Sequence, residues 1–310
     1  MSDIRRSRDW RWVTGGAVVF AVIGVILLRY HAQEFRAERF TAYEQRLDAV
    51  QRLQVRLATT SEFEMSAVQA VTDEESARFA AQARTAMGAL EQERDQLAQH
   101  LGTHATRDEQ ATLATFSKAL ADYHRLDDEL LDLSVRNTNL KAAQLAFGPA
   151  ATAVRDLDDA LSRIITRAAG AETRDGRRIM LLAAGAERAA LRIQALLPRH
   201  IAEQTDAGMD DMESDLDACR QVVGDNLSTL SGLPAMAGTP DLEAALAAFA
   251  TYRDLVPDIV ALSRQNTNVK SLTLSLNQRR RLVLGCQQAL ADLELAVRRE
   301  PLPLSPVYPR

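Results

Sequence analysis

Apolar residues recur along most of the chain at intervals of three and four positions, which is the spacing of one face of an α-helix. The stretch from Leu242 through Phe249 and Tyr252 to Leu262 keeps this spacing without a break. No segment alternates apolar and polar residues for long enough to indicate a β-strand. The pattern therefore predicts an all-α protein built from amphipathic helices.

Capping residues and helix breakers divide this pattern into helices. Thr72 to Glu75 and Thr106 to Glu109 each have the order of a capping box, and Thr239 precedes Pro240 at a predicted first helical position. Leu197-Pro198 predicts an interruption. The predicted helices cover about residues 31–71, 73–101, 106–136 and onward to 170, then 172–197, 200–230, 240–265 and 267–299.

One nine-residue segment occurs twice. Leu133 to Lys141 reads LSVRNTNLK, and Leu262 to Lys270, 129 residues later, reads LSRQNTNVK. At the same offset Tyr123 matches Tyr252, so the similarity extends beyond the motif. A repeat at a fixed offset indicates that one supersecondary unit is used twice, and we interpret the chain as a tandem duplication.

The Asn-Thr-Asn core of this motif allows two structures. The apolar pattern runs through it in phase, so one continuous helix with a buried Asn is one alternative. The other is a turn at Asn137-Thr138 and at Asn266-Thr267, because Asn tolerates the left-handed conformation that ends helices. We favour the turn, since it gives helices of similar length. Each unit is then an up-down four-helix bundle, over residues 30–170 and 171–300.

The uncharged stretch from Trp12 to Leu28 predicts a transmembrane helix over residues 12–29. A cleaved signal peptide is the alternative, although no small-residue cleavage pattern follows the stretch. Arginines precede it, so we expect residues 1–11 in the cytoplasm and the bulk of the chain in the periplasm. This predicts a single-pass protein of the bacterial inner membrane. Residues 301–310 form a proline-rich tail.

Composition narrows the possible partners. A net charge of −5 and a pI near 5.7 argue against a nucleic-acid surface. Two cysteines, Cys219 and Cys286, are too few for a disulfide framework. They either pair with each other or lie buried as small apolar side chains, and the second interpretation is favoured.

Several segments together resemble a known family. Ser61 to Val68 (SEFEMSAV), Val71 to Phe79 (VTDEESARF) and the later LSRQNTNVK segment are similar to the four-helix-bundle sensory domain of bacterial methyl-accepting chemotaxis receptors. The resemblance covers about residues 30–170 and, more loosely, 171–300. It implies sensing of a small solute or of a periplasmic ligand protein by a dimeric bundle. As partners we expect either a second copy of the chain, in a homodimer, or a membrane receptor or kinase. No second apolar span or cytoplasmic hairpin follows, so the output would belong to a partner.

Catalytic and cofactor motifs give little signal. His100 and His104 are separated by Gly102, which favours a loop over a metal site. The acidic run from Asp210 to Asp217 lacks the spacing of a Ca²⁺ loop and indicates a solvated helix face. No glycine loop for phosphate and no nucleophile elbow is present in the sequence. We therefore expect neither an enzyme nor a bound metal or cofactor.

The polar residues of the two motifs are the candidate ligand site. Guanidinium, amide and ammonium groups gathered at one end of each bundle could hold a carboxylate. The alternative is that they serve only as turn and capping residues. The function is then either a sensory binding module or a structural protein whose bundles dimerise or bind a neighbour. The candidate residues are Arg136, Asn137, Asn139 and Lys141 with Arg264, Asn266, Asn268 and Lys270.

Overall fold

The computed structural model describes residues 6–102, 105–171 and 173–299, without the side chains of residues 6–28, 32–33 and 35–37. Helices and turns account for these residues, and no strand occurs among them. The all-α prediction is confirmed. The predicted proline-rich tail at 301–310 and the side chains of the predicted basic segment at 1–11 lie outside the described residues.

The helices follow one another with short connections. Two π-helical turns, Ala146–Ala150 and Ser275–Arg279, each lie directly between two α-helices. Pro149 lies within the first π turn, where its missing N–H removes a helical hydrogen bond. The helices are α1 (Arg6–Gln69), α2 (Asp73–Leu101), α3 (Arg107–Arg136), α4 (Thr138–Leu145), α5 (Ala151–Ala169), α6 (Arg174–Ala202), α7 (Asp206–Ser231), α8 (Pro240–Gln265), α9 (Thr267–Leu274) and α10 (Arg280–Arg299).

The predicted helix starts agree well with the caps. Thr72 Oγ1 accepts a hydrogen bond from Glu75 N at 3.2 Å. At α3 the capping box is complete: Thr106 Oγ1 accepts from Glu109 N at 3.2 Å, and the Glu109 carboxylate accepts from Thr106 N at 2.7 Å. These contacts satisfy N–H groups that have no partner within the helix.

Pro198 does not end a helix, contrary to the sequence prediction. Helix α6 continues through it to Ala202. The next helix begins at Asp206, where Thr205 Oγ1 accepts a hydrogen bond from Gly208 N at 3.2 Å. Because Pro198 lies near the end of α6, its missing N–H removes one helical hydrogen bond without stopping the last turn.

The chain divides into two compact units, each drawn from separate segments. Unit 1 comprises Met1–Ser61, Arg84–His124 and Arg281–Arg310, and unit 2 comprises Glu62–Ala83 and Arg125–Arg280. The core of unit 1 contains buried residues from α1, α2, α3 and α10. They include Leu53, Leu57, Met87, Leu90, Phe116, Leu120, Tyr123, Cys286, Leu290 and Leu293. Four helices thus share this core.

Unit 2 has a larger core, to which α5, α6, α7 and α8 contribute. Its buried residues include Leu157, Leu161, Ile193, Leu197, Leu216, Val223, Leu227, Tyr252 and Ile259. A second cluster in this unit joins the end of α1, the start of α2 and the end of α3 through Ala67, Ala80, Ala83, Leu130 and Leu131. Cys219 of unit 2 and Cys286 of unit 1 are both buried, and the two do not form a disulfide.

The predicted pair of consecutive four-helix bundles is therefore wrong. In the predicted bundle over 30–170, the fourth helix would be the one that follows Asn137. In the structure that helix contributes to the core of unit 2, while α10, from the far end of the chain, completes the core of unit 1. Because α5 and α10 are both strongly amphipathic, either could cover the apolar faces of α1, α2 and α3.

The predicted transmembrane helix over 12–29 is also corrected. Within the described part of the chain, no helix combines the length and the apolar character needed to cross a bilayer. The prediction of a single-pass inner-membrane protein is corrected with it. The side chains of residues 12–28 lie outside the described residues.

Candidate functional site

The Asn-Thr-Asn motifs contain the two left-handed residues of the described chain that are not glycine. Asn137 has φ 50° and ψ 38°, and Asn266 has φ 54° and ψ 38°. Each ends one helix, and the next helix begins at the following threonine. A left-handed residue breaks the helical path, which Asn tolerates better than most residues. The predicted helix boundaries at Asn137-Thr138 and Asn266-Thr267 are confirmed.

The two threonines of the motifs bind each other's backbone. Thr138 N donates to Thr267 Oγ1 at 3.2 Å, and Thr267 N donates to Thr138 Oγ1 at the same distance. The two hydroxyl oxygens are 3.2 Å apart. The first N–H groups of α4 and α9 would otherwise lack partners, so each helix start is capped by the other.

The asparagines that follow repeat this exchange one position later. Asn139 N donates to Asn268 Oδ1 at 3.1 Å, and Asn268 N donates to Asn139 Oδ1 at 3.2 Å. Asn139 Nδ2 also donates to Asn266 Oδ1 at 2.7 Å and to the carbonyl of Ile201 at 2.8 Å. Equivalent atoms thus meet across a local two-fold arrangement.

The left-handed asparagines complete the network. Asn268 Nδ2 donates to Asn137 Oδ1 at 2.9 Å, and Asn137 Nδ2 donates to Asp73 Oδ1 at 2.9 Å. Asn266 Nδ2 donates to the carbonyl of Glu203 at 2.8 Å. Because Asn137, Asn139 and Asn266 are buried and their amides bind protein atoms, a ligand there would have to displace existing hydrogen bonds.

The basic side chains of the motifs also bind protein atoms, apart from that of Arg136, which is exposed. Lys141 Nζ donates to the carbonyl of Arg136 at 2.9 Å, and Lys270 Nζ donates to that of Gln265 at 3.0 Å. Each lysine thereby caps the helix that ends just before it. Lys141 also pairs with Asp73 at 3.2 Å.

Arg264 lies among acidic side chains of α7. It donates to Asp210 and Glu213, which belong to the acidic run predicted as a solvated face. This pairing, together with a contact from His200, holds the pKa of Glu213 below its usual range. The side chain of Arg264 is therefore neutralised and has little charge left for a ligand.

A serine, a histidine and a glutamate come together beside Arg264. His200 Nδ1 lies 2.8 Å from Ser263 Oγ, and His200 Nε2 lies 2.9 Å from Glu213 Oε1. These are the residue types of a catalytic triad. Ser263 and His200 are fully buried, however, and Ser263 Oγ also donates to the carbonyl of His200 at 3.0 Å. A substrate could not reach this hydroxyl, so the arrangement joins α6, α7 and α8 structurally.

Some open space remains beside the second motif. A groove of about 410 Å³ there is lined by Asn266 and Lys270 together with Glu129, Leu133, Gln204, Val269, Thr273 and Leu274. Among the residues that the structure describes, no three His, Cys, Asp or Glu side chains gather as a metal site. His104, half of the histidine pair considered from the sequence, lies outside the described residues.

Another groove lies in unit 1. It has a volume of about 490 Å³ and two arginines on its wall. Arg52 Nε donates to Glu93 Oε1 at 2.8 Å, and Arg56 Nε lies 3.4 Å from Glu93 Oε2. Arg52 also pairs with Asp48. Because Glu93 is buried and holds both guanidinium groups, they face the groove from fixed positions. Val55, Thr59, Ala86 and Gln51 complete the wall.

The first half of the chain matches a known protein family. Residues 13–170, about half of the chain, match the family described as a four-helix-bundle sensory module for signal transduction. The chain belongs to this family. It matches no curated protein sequence. The family resemblance expected from the sequence is confirmed, whereas the match ends at residue 170 and leaves the tandem duplication a prediction.

The part of the sensory module that matches the family contains the arginine groove and the first Asn-Thr-Asn motif. Sequence reasoning did not single out Arg52 and Arg56. Their spacing of four residues, which places two guanidinium groups on one face of α1, was the available signal. Their common partner Glu93 is on another helix, and the sequence alone gives no indication of that contact.

Replacing Thr138 by proline tests the capping between the motifs. Proline is normally tolerated at the first position of a helix. Here Thr138 N is buried and donates to Thr267 Oγ1, so Thr138→Pro should lower the unfolding free energy by about 2 kcal/mol. Urea unfolding measures this. The control is Asp206→Pro, at the exposed first position of α7, which should change stability little. Equal losses in both variants would contradict the capping role.

Proposed function

We propose that this sensory module binds a small carboxylate-bearing solute in the groove of unit 1. The observation that carries the proposal is the pair of guanidinium groups, Arg52 and Arg56, held side by side by the buried Glu93. Guanidinium groups bind carboxylates with paired, charge-assisted hydrogen bonds. The module performs no chemistry, in keeping with a sensory signalling family.

The groove has the size and lining of a small-molecule site. Its volume of about 490 Å³ falls within the range of known ligand pockets. Each guanidinium has five N–H donors, and the side chains of Arg52 and Arg56 are 46% and 43% exposed, so donors remain for a ligand. Val55 is exposed beside them and offers an apolar contact. A ligand carboxylate would take the place of Asp48 as partner of Arg52.

The predicted ligand site at the Asn-Thr-Asn motifs stays a prediction. We place the ligand at the arginine groove instead because the motif amides already bind protein atoms and Arg264 is paired with Asp210 and Glu213. Lys270, on the groove beside the second motif, is the motif residue best placed to contact an anion.

Calorimetric titration of the full chain with a panel of small mono- and dicarboxylates and amino acids tests the proposal. We expect at least one of them to bind. Loss of a charge-assisted hydrogen bond costs about 1.5 to 3 kcal/mol, so Arg52→Gln and Arg56→Gln should each weaken binding by roughly 10- to 100-fold. The matched control is Arg94→Gln, because Arg94 pairs with Asp95 and does not line the groove.

Two results would overturn the proposal: no carboxylate binds, or binding is equally strong in both groove variants. The interaction protein then becomes the better interpretation. A specific observation favours it, since Leu284 and Leu295 of α10 are each more than half exposed and lie eleven positions apart, on one helix face. Sedimentation of the same samples would show whether the chain self-associates without ligand.

A further inference from the structure

Unit 2 buries three ionisable side chains that the arginine groove does not use. Glu64 of α1, Asp127 of α3 and Arg279 of the second π turn are 0%, 1% and 5% exposed. Asp127 takes a position in the regular series of buried residues along α3, between Tyr123 and Leu130. Lysine, arginine and acidic side chains are rarely buried this fully unless they have a partner.

The two buried carboxyl groups differ in their hydrogen-bond partners. Arg279 Nε donates to Glu64 Oε2, which pairs one cation with one carboxylate. Neither oxygen of Asp127 receives a hydrogen bond from a donor group among the described residues, and an ionised Glu64 offers only acceptor oxygens. Three ionised groups would therefore leave one net negative charge buried in the protein interior, which is energetically unfavourable. One proton on the two carboxyl groups removes that charge and supplies the donor that Asp127 otherwise lacks.

The surroundings of Asp127 favour this proton. Burial is the largest cause that raises the pKa of Asp127, followed by the charge of Glu64 and a hydrogen bond with it, and the pKa reaches about 9. Asp128, on the same helix, also raises it, and Arg279 lowers it. At neutral pH the carboxyl group is protonated, and its O–H can donate to the Glu64 carboxylate.

The fold does not require charged groups at these positions. The residues 129 positions away from Asp127 and Arg279 are Val256 and Ala150, and both are buried in the apolar core of unit 2. Ser275, in the same π turn as Arg279, corresponds to buried Ala146. The equivalent helices thus pack with apolar side chains at the equivalent places. Because a buried ion pair is often no more stable than such packing, the charged version needs another explanation.

We propose that Glu64, Asp127 and Arg279 form a proton-binding site that makes the packing of unit 2 depend on pH. The bound proton sits on Asp127 and is shared with Glu64. When it is lost to solvent, two carboxylates face one guanidinium, and the contact between α1, α3 and the π turn weakens. The inference is independent of the ligand groove in unit 1.

Equilibrium unfolding of the full chain between pH 5 and pH 10 tests the site, with Asp127→Asn as the variant. The folded protein holds a proton on Asp127 that the unfolded chain releases above about pH 4, so wild-type stability falls as the pH rises toward 9. The asparagine is neutral at every pH and keeps a donor for Glu64. The wild-type unfolding constant should therefore rise relative to that of the variant by up to tenfold per pH unit. Above about pH 9 the ratio should level off.

Asp128→Asn is the matched control, because Asp128 is the exposed acid next in sequence. Its unfolding constant should follow that of the wild type. A ratio of wild type to Asp127→Asn that stays constant from pH 5 to pH 9 would overturn the proposal. The proposal would also be overturned if the unfolding constant of Asp128→Asn differed from that of the wild type, across this pH range, as much as that of Asp127→Asn does.

A measurement on the wild type covers the case in which Asp127→Asn does not fold. Infrared spectra at pH 7 should contain the carbonyl stretch of a protonated carboxylic acid, and the band should disappear above about pH 10. Asp127→Val, which copies its counterpart Val256, should lack the band at pH 7. Absence of this band from the wild type at pH 7 would exclude the proton.

Discussion

Arg279→Met is expected to lower the free energy of unfolding by about 3 to 5 kcal/mol at pH 7, the largest effect of any single substitution considered for this sensory module. Arg279 Nε donates to Glu64, whose side chain is fully buried, and Asp127 lies in the same interior. Methionine fills a similar volume but supplies no charge. The carboxylate of Glu64 is then left buried without its cation, which costs far more than an exposed pair would.

Denaturant unfolding followed by circular dichroism measures this loss. The matched control is Arg280→Met, because Arg280 is the next residue and is exposed. It should change stability by less than about 0.5 kcal/mol. A loss below about 1 kcal/mol in the Arg279 variant would mean that Glu64 gains other partners or water when the arginine is removed, and the buried pair would not hold α1 to the π turn.

Asn139→Ala is expected to cost about 3 kcal/mol. The side chain makes three hydrogen bonds, to Ile201, to Asn266 and to the backbone N–H of Asn268. Alanine leaves a helix-terminal carbonyl, an amide oxygen and a helix-start N–H without their partner in a buried place. Each unsatisfied buried group costs about 1 to 3 kcal/mol, reduced where water can enter.

The same unfolding experiment tests this substitution against Gln265→Ala, an exposed neighbour of the second motif. The control should be close to neutral, since alanine also favours the helix. Because Asn268 occupies the equivalent place in the second motif and is less buried, Asn268→Ala should cost less than Asn139→Ala. If Asn139→Ala were as mild as the control, the asparagine network would not stabilise the junction, and the motif would be free to bind a ligand.

The sequence alone located the helix junctions well. Asn137 and Asn266 end helices because Asn adopts the left-handed conformation at low cost, and that is a local property. The starts of α2, α3, α8 and α9 are predicted to within a residue by Thr-based caps and by Pro240 for the same reason. Pro198 misled the prediction because a proline close to a helix end removes little, and only the surrounding packing decides where that helix stops.

The motif residues were predicted as a group, but their contacts were not. The sequence placed Thr138 and Thr267 at equivalent positions, 129 residues apart, without any indication that they bind each other. Their reciprocal contact satisfies groups at two helix starts at once. It explains why polar residues continue a pattern that is otherwise apolar, and it favours a structural role for most of the predicted ligand residues.

The sequence by itself determined that the chain is helical, where most helices begin and end, and to which family it belongs, because periodicity, caps and motif residues are all local. Only the tertiary structure decided which helices share a core. Helices α5 and α10 follow equivalent motifs and have similar apolar faces, so nothing local tells them apart, yet α10 completes unit 1 and α5 belongs to unit 2. The same holds for Glu64 and Arg279, 215 residues apart, whose meeting depends on how the helices pack.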